Sequence, residues 1–166
     1  MSGLAYADLD QMREWAAGVM IRAPDYVIGP AENPYLRRWW IIPRNVGCNV
    51  YLHEILRSDD DRAGHDHPWH NTSYLIDGSY DEVTYYSQTP WQQAYRFTRN
   101  AGESIVRNPQ DTHRLIVPEG GRAVSLFVTG PKVRNWGFWC ENGERWVRWE
   151  DFTGGENGEL VGRGCE

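Results

Sequence analysis

Gly64-His65-Asp66-His67-Pro68-Trp69-His70-Asn71 holds three of the five histidines in a chain of 166 residues. Side chains two apart on an extended strand share a face, so His65 and His67 present two imidazoles to one point. That is metal-ligand spacing. Asp66, between them, then points outward and takes a structural role. His70 follows His67 by three across Pro68, which breaks the alternation. It reads as a fourth ligand, a proton carrier beside the metal or a rim residue, and the last two are favoured because a fourth imidazole from such a kink needs unusual backbone geometry. His53, upstream, reads as a hydrogen-bonded core histidine.

Around this stretch the chain is β-like. Short apolar or alternating runs at Leu36–Ile42, Asn49–Leu56, Thr72–Ile76, Tyr80–Tyr86, Trp91–Arg99, Glu103–Val106, Arg114–Val117, Ala123–Thr129, Trp136–Cys140 and Arg145–Trp149 predict strands. Asp77-Gly78, Asn100-Ala101-Gly102, Glu119-Gly120-Gly121 and Asn142-Gly143 supply hairpin turns between them. One helix precedes them. Leu9, Met12, Trp15, Ala16, Val19 and Met20 recur at helical spacing behind an Asp8/Gln11 capping box, and Ala23-Pro24 ends it. Many short strands after one helix predict an all-β barrel or jelly roll. The expected layout is a helix over 1–24 packed on a barrel over 25–152, with a flexible, glycine-rich tail over 153–166.

Two spacings frame the histidines. His65 and His67 are followed by three residues, Asn71, six residues and Gly78, while Gly102 stands eleven positions before His113. This pattern resembles the two motifs of the cupins, an HxH with a later glutamate and glycine, then a glycine eleven before a single histidine. Here Asn71 occupies the glutamate slot, Asp59 replaces the leading glycine of the first motif, and Gln110 replaces the internal glycine of the second. The resemblance implies a cupin-type β-barrel over about residues 35–150, with His65, His67 and His113 as ligands to a divalent transition metal. His65-Asp66-His67 is also similar to the HxH of cysteine dioxygenase and the other thiol dioxygenases, cupins that use three histidines.

Three neutral imidazoles leave a divalent ion its full charge and about half of its coordination sphere open, which suits Fe(II) binding an anionic substrate and O2. Fe(II) is therefore the favoured metal, with Zn, Mn or Ni as alternatives. If Asn71 faces inward, so do Ser73 and Leu75, and after His113 so do Leu115 and Val117. Asn71 and Ser73, with His70, are the candidates to orient a metal-bound water or substrate. Arg57 and Arg62, on the approach to the ligand strand, are the candidates to hold an anionic substrate, although Asp59-Asp60-Asp61 supplies them with local ion-pair partners. That acidic run lacks calcium-loop spacing and reads as a solvated loop. Alternation offers no inward carboxylate. The aromatic series Trp136, Phe138, Trp139, Trp146 and Trp149 reads as core or dimer interface.

Composition narrows the partners. Seventeen basic residues against 23 acidic give a net charge of −6, which disfavours general nucleic-acid binding. No apolar run approaches a membrane span and the N-terminus lacks a secretory pattern, so a cytoplasmic protein is expected. Cys48, Cys140 and Cys165 are odd in number without CxxC spacing and read as free thiols. Three functions fit: an Fe(II)-dependent oxygenase of a small polar or anionic molecule; a metal-dependent isomerase, epimerase or hydrolase of a sugar or nucleotide; and a non-catalytic small-molecule-binding cupin. Outward aromatics such as Tyr74 and Trp149 favour a homodimer.

Overall fold

Asp8 caps the helix that the periodicity predicts: its carboxylate accepts from the Asp10 amide, and Gln11 Oε1 accepts from the Asp8 amide in return. In the computed structural model, which describes residues 8–59, 63–86, 93–154 and 162–166, this helix is α1, Leu9–Met20. Met12, Ala16, Val19 and Met20 form its apolar stripe. They cover Trp39, Leu52, Ile76 and Val124 on the outer face of the sheet.

Among the described residues eleven strands follow: β1 Tyr26–Ile28, β2 Leu36–Trp40, β3 Asn49–Ile55, β4 Gly64–His65, β5 Asn71–Tyr86, β6 Gln93–Asn100, β7 Ser104–Arg107, β8 Thr112–Ile116, β9 Ala123–Thr129, β10 Gly137–Cys140 and β11 Arg145–Arg148. All pairings are antiparallel, in the order β1-β2-β3-β9-β5-β8-β4-β10-β11, with β6 and β7 also on β5. The strands form one open sheet, not a closed ring of hydrogen bonds, and it is folded over on itself in a cupin-type jelly roll. β1 and the short helix α2, Trp149–Thr153, were not read from the sequence. The strand expected from Trp91 begins, among the described residues, at Gln93.

The fold-over occurs within β5. Its first part pairs with β7 and β9, and its second with β6 and β8. Asp77-Gly78, expected as a hairpin turn, instead continues this 16-residue strand just after a bulge at Ile76, where the β9 register shifts between Leu75 and Asp77. Gly78 has φ +73°, and a Cβ there would stand 2.0 Å from the Arg122 carbonyl oxygen. Glycine is required because the strand turns with β9's backbone against it. The other three turn signals lie between strands, as read.

Two apolar clusters lie inside and beyond the sheet. Leu36, Ile55, Leu75, Tyr80, Leu115 and Val117 pack at one end of the interior. Phe138 and Phe152 stack at 3.8 Å, and Trp136 lies parallel to Trp149 at 5.8 Å, so these C-terminal aromatics pack β10 against α2. The free-thiol reading fails for two of the three cysteines. Cys140 and Cys165 form a disulfide, and Cys48 alone is free. With the Gly164 amide donating to the Phe152 carbonyl, this bond holds the chain's last residues against β10 and α2. Residues 155–161 of the expected flexible tail lie outside the described residues.

Candidate metal centre

His65 ends β4 and pairs in register with His113 on β8, while His67 follows two residues later in a segment fastened by its amide to the Pro109 carbonyl. One imidazole nitrogen from each of the three rings lies within 4.8 Å of the others. The Nε2 atoms of His67 and His113 are 2.9 Å apart. Two ligands at right angles on bonds of about 2.1 Å would be about 3.0 Å apart, so this pair already has the spacing of a shared ion. Three imidazoles at this spacing have the geometry to hold one divalent metal ion.

Asp66 explains how the pair is held. It is 1% exposed and points away from the histidines, as alternation required. Its carboxylate accepts from the Gly137 amide at 2.9 Å, the Trp146 indole at 3.0 Å and the Trp139 indole at 3.2 Å, and Arg134 lies 2.8 Å away. Four donors clamp the HxH backbone to β10, β11 and the loop before them. A buried carboxylate so fully bonded is a rigid anchor for the ligands on either side.

Behind the ligands stand two carboxylates. Asp59 lies 3.7 Å from His65 Nδ1 and accepts from the Leu115 amide at 2.8 Å. Glu82, 1% exposed on β5, accepts from His113 Nδ1 at 2.7 Å. A proton fixed on Nδ1 leaves the Nε2 lone pair free for a metal, and the carboxylate raises the basicity of the ring. Glu82 also takes Arg107 Nε at 2.7 Å on one oxygen and Arg99 Nε at 2.8 Å on the other. The expectation of no inward carboxylate is thus corrected. The bulge at Ile76 shifts the inward positions from Asn71, Ser73 and Leu75 to Tyr80 and Glu82, which unbroken alternation does not foresee.

Burial pushes Glu82 upward, but the hydrogen bond from His113 and the Arg107 charge outweigh it and hold the carboxyl well below the usual range. Burial, reinforced by the Arg107 charge, lowers His113 to about 3 despite its bond to Glu82. Burial and the neighbouring His113 and His65 likewise hold His67 well below an ordinary histidine. Both rings are neutral at pH 7, the form that binds a metal.

The candidate residues around the ligands separate. Asn71 is buried, its Oδ1 3.5 Å from Arg107 Nη1, and its Nδ2 has no partner. Thr84, the register partner of His113, and Thr129, the register partner of Asn71, also have unpartnered buried hydroxyls. Ser73 is buried beside Tyr80, whose hydroxyl it meets together with Arg107. These orphan polar atoms fit a site built to receive a polar guest next to the metal ligands. His70 is exposed and stands apart from the three-histidine cluster. Arg57 turns to the Asn33 and Ser58 carbonyls and the Tyr35 ring. Arg62 lies outside the described residues. His53 is buried and accepts from Arg38 at 2.8 Å.

No family model and no curated protein matches the chain. Among solved structures it is similar to Peruvianin-I, a cysteine peptidase from Thevetia peruviana latex, with 13% identity over 71% of this chain and 72% of that one and a TM-score of 0.50. It is similar to a Cupin 2 conserved barrel domain protein from Salinispora arenicola, with 15% identity, 57% and 75% coverage and a TM-score of 0.44. The Fe(II) form of HppE gives 15% identity, 68% and 60% coverage and a TM-score of 0.49. The chain spans about half to three-fifths of the length of the HppE structures. At such identities the likeness concerns the fold. No thiol–histidine pair accompanies it, since Cys48 is exposed and bonded to no histidine among the described residues. The folded antiparallel sheet, with both histidine motifs meeting inside it, makes this chain a protein of cupin fold.

Proposed function

We propose that the chain is a mononuclear Fe(II)-dependent oxygenase of a small polar or anionic molecule, with His65, His67 and His113 as its metal ligands. The observation that carries this reading is the donor set: three imidazoles converge, and the carboxylates nearest them stand behind the rings. An Fe(II) ion held this way keeps its +2 charge and open positions, and supplies redox chemistry between O2 and a substrate bound beside it. Asn71 Nδ2 is a free donor for a substrate oxygen, and Ser73 and the Tyr80 hydroxyl extend that polar wall. Glu82 is a positioning residue: it keeps the His113 proton on Nδ1 while Arg107 and Arg99 balance its charge.

The test is anaerobic reconstitution with Fe(II), metal analysis, and oxygen-consumption assays with thiols, carboxylates, phosphates and sugars. About one metal per chain is expected, with oxygen uptake on an anionic or thiol substrate and loss of both in His67→Ala and His113→Ala. Full metal retention in both variants would overturn the site. Turnover of a sugar or nucleotide with Zn, Mn or Ni and without oxygen would replace the oxygenase by an isomerase or epimerase. Ligand binding with no turnover under any of these metals would leave a non-catalytic binding protein.

A further inference from the structure

The inner face of the sheet carries a second polar group, away from the metal ligands. Arg38 on β2 is the register partner of His53 on β3, so both side chains leave the sheet on the same face, opposite the Trp39 that packs under α1. Arg38 Nε donates to His53 Nε2, and its guanidinium lies 4.8 Å from the Tyr51 ring centre. From there a row of rings runs toward the metal ligands. Tyr51 stacks on His53 at 5.8 Å, His53 on Phe127 at 4.8 Å, and Phe127 stands 6.4 Å from His67 and 5.7 Å from Trp69.

Arg38 differs from its neighbours in what faces it. Arg22 meets Asp25, Arg37 meets Glu54, Arg99 and Arg107 meet Glu82. Among the described residues no carboxylate pairs with Arg38, whose one hydrogen-bond partner is the neutral imidazole of His53. Arg44 adds to the imbalance: it lies over the Trp40 ring, on the same face of β2, near enough to oppose the Arg38 charge. A half-buried guanidinium with a second cation beside it and no acid is unbalanced, and its fork of donors matches an oxyanion. The His53 bond uses Nε, and among the described residues no hydrogen bond engages Nη1 or Nη2.

We infer that Arg38, assisted by Arg44, is an oxyanion subsite that holds the carboxylate or phosphate end of a small molecule whose other end reaches the three histidines along the Tyr51–His53–Phe127 row. The inference deepens the proposed function, since it rests on the interior of the folded sheet being the substrate pocket. It also takes the place of Arg57, which turns to the Asn33 and Ser58 carbonyls, as the arginine that selects an anion.

The experiment uses the metal-free full chain and three probes, benzoate, phenyl phosphate and neutral benzyl alcohol, titrated calorimetrically at fixed pH and ionic strength. At least one anion is expected to bind tenfold or more tightly than benzyl alcohol, and the tighter of the two identifies the carboxylate or the phosphate as the preferred group. Arg38→Gln should weaken that anion at least tenfold without moving benzyl alcohol, and Arg38→Lys should recover part of the loss. Arg44→Gln should weaken it about threefold. Equal binding of the neutral probe, or no loss in these variants, overturns the subsite. Should Arg38→Gln fail to fold, Arg38→Lys and Arg44→Gln decide the matter, and wild-type affinity in both overturns it. His113→Ala is the separating control: anion binding retained there while metal is lost supports the subsite independently of the metal assignment, and metal binding without any anion preference removes the subsite alone.

Discussion

The two parts of β5 face the same interior with opposite chemistry. Before the bulge, Asn71 and Ser73 point inward as small neutral groups, and one amide nitrogen has no partner. After it, Glu82 points inward as an ion, held by His113, Arg107 and Arg99. The neutral half leaves the Asn71 amide donor free for a guest, whereas in the charged half both Glu82 oxygens are engaged and fix a ligand ring. One extra residue at the bulge produces both, because it moves the inward set from odd to even positions. A strand that continued unbroken would have turned Glu82 outward and Val83 inward.

The largest effect is expected where the charged half is broken. Glu82→Ala removes the acceptor from His113 and leaves Arg107 buried without its carboxylate. Loss of a carboxylate behind a metal-bound histidine typically weakens metal affinity about 10- to 100-fold. Stranding the buried guanidinium costs about 3–5 kcal/mol of stability. Metal titration and denaturant unfolding read the two separately, and a variant that unfolds like wild type would show that Arg107 has another partner.

Gly78→Ala tests the hinge itself. A methyl group would meet the Arg122 carbonyl at 2.0 Å in a backbone with φ +73°. Strained backbone and forced contact together predict about 3 kcal/mol of lost stability. Thermal unfolding should fall by roughly 6–12 °C for a domain of this size. An unchanged midpoint would mean that β5 and β9 are not fixed as described.

What the sequence disclosed follows the same divide. The capping box at Asp8 and Gln11, the inward set Asn71, Ser73 and Leu75, and the pair Leu115 and Val117 depend on local periodicity, and local periodicity was readable. The three histidines were readable because the spacings around Gly78 and Gly102 are motif-like. Glu82 was not, since its facing depends on a bulge whose adjacent signal, Asp77-Gly78, is shared with a hairpin turn. Arg38 was hidden for a related reason: the role proposed for it rests on the lack of a pairing acid among the described residues, which no single segment records. The Cys140–Cys165 pair joins residues 25 apart, and an odd cysteine count concealed it. Asp66 was placed correctly on the outer side, yet its four donors come from β10, β11 and the loop before them.

Acid should reach the charged surroundings before the neutral ones. His113 and His67 have folded pKa values below the ordinary 6.5, so below that pH the unfolded chain binds more protons than the folded one. Stability of the metal-free protein is then full above about pH 6.5 and falls as pH drops toward about 3, where His113 also takes a proton. Each buried histidine contributes a slope of up to about 1.4 kcal/mol per pH unit in that window. His53, lowered by burial and the Arg38 charge, adds to it from the far side of the interior. Glu82 acts in the same direction below the ordinary glutamate range, because its folded value is also depressed. Denaturant midpoints at pH 7, 6, 5 and 4 measure the slope, and a flat profile would mean that the rings are open to solvent.

The smallest effect is expected in the neutral half, and it decides whether Asn71 belongs with the metal. Asn71→Glu keeps the site buried but places a carboxylate where an amide nitrogen has no partner and where Arg107 already approaches. If that position reaches the metal, the new carboxylate becomes a fourth ligand and cancels part of the +2 charge. Metal affinity should rise by less than about tenfold, because Arg107 competes for the same oxygens and desolvating the carboxylate opposes the gain. On the proposed reading, any oxygenase activity should fall, since a position needed by substrate or oxygen is then filled. Asn71→Ala supplies the contrast: it removes the unpaired donor without adding charge, so metal affinity should stay near wild type while affinity for a substrate that uses that donor declines. Unchanged metal binding and activity in Asn71→Glu would mean that Glu82 and Arg107 alone organise this wall, and that the slot occupied by glutamate in similar motifs has no bearing on the metal here.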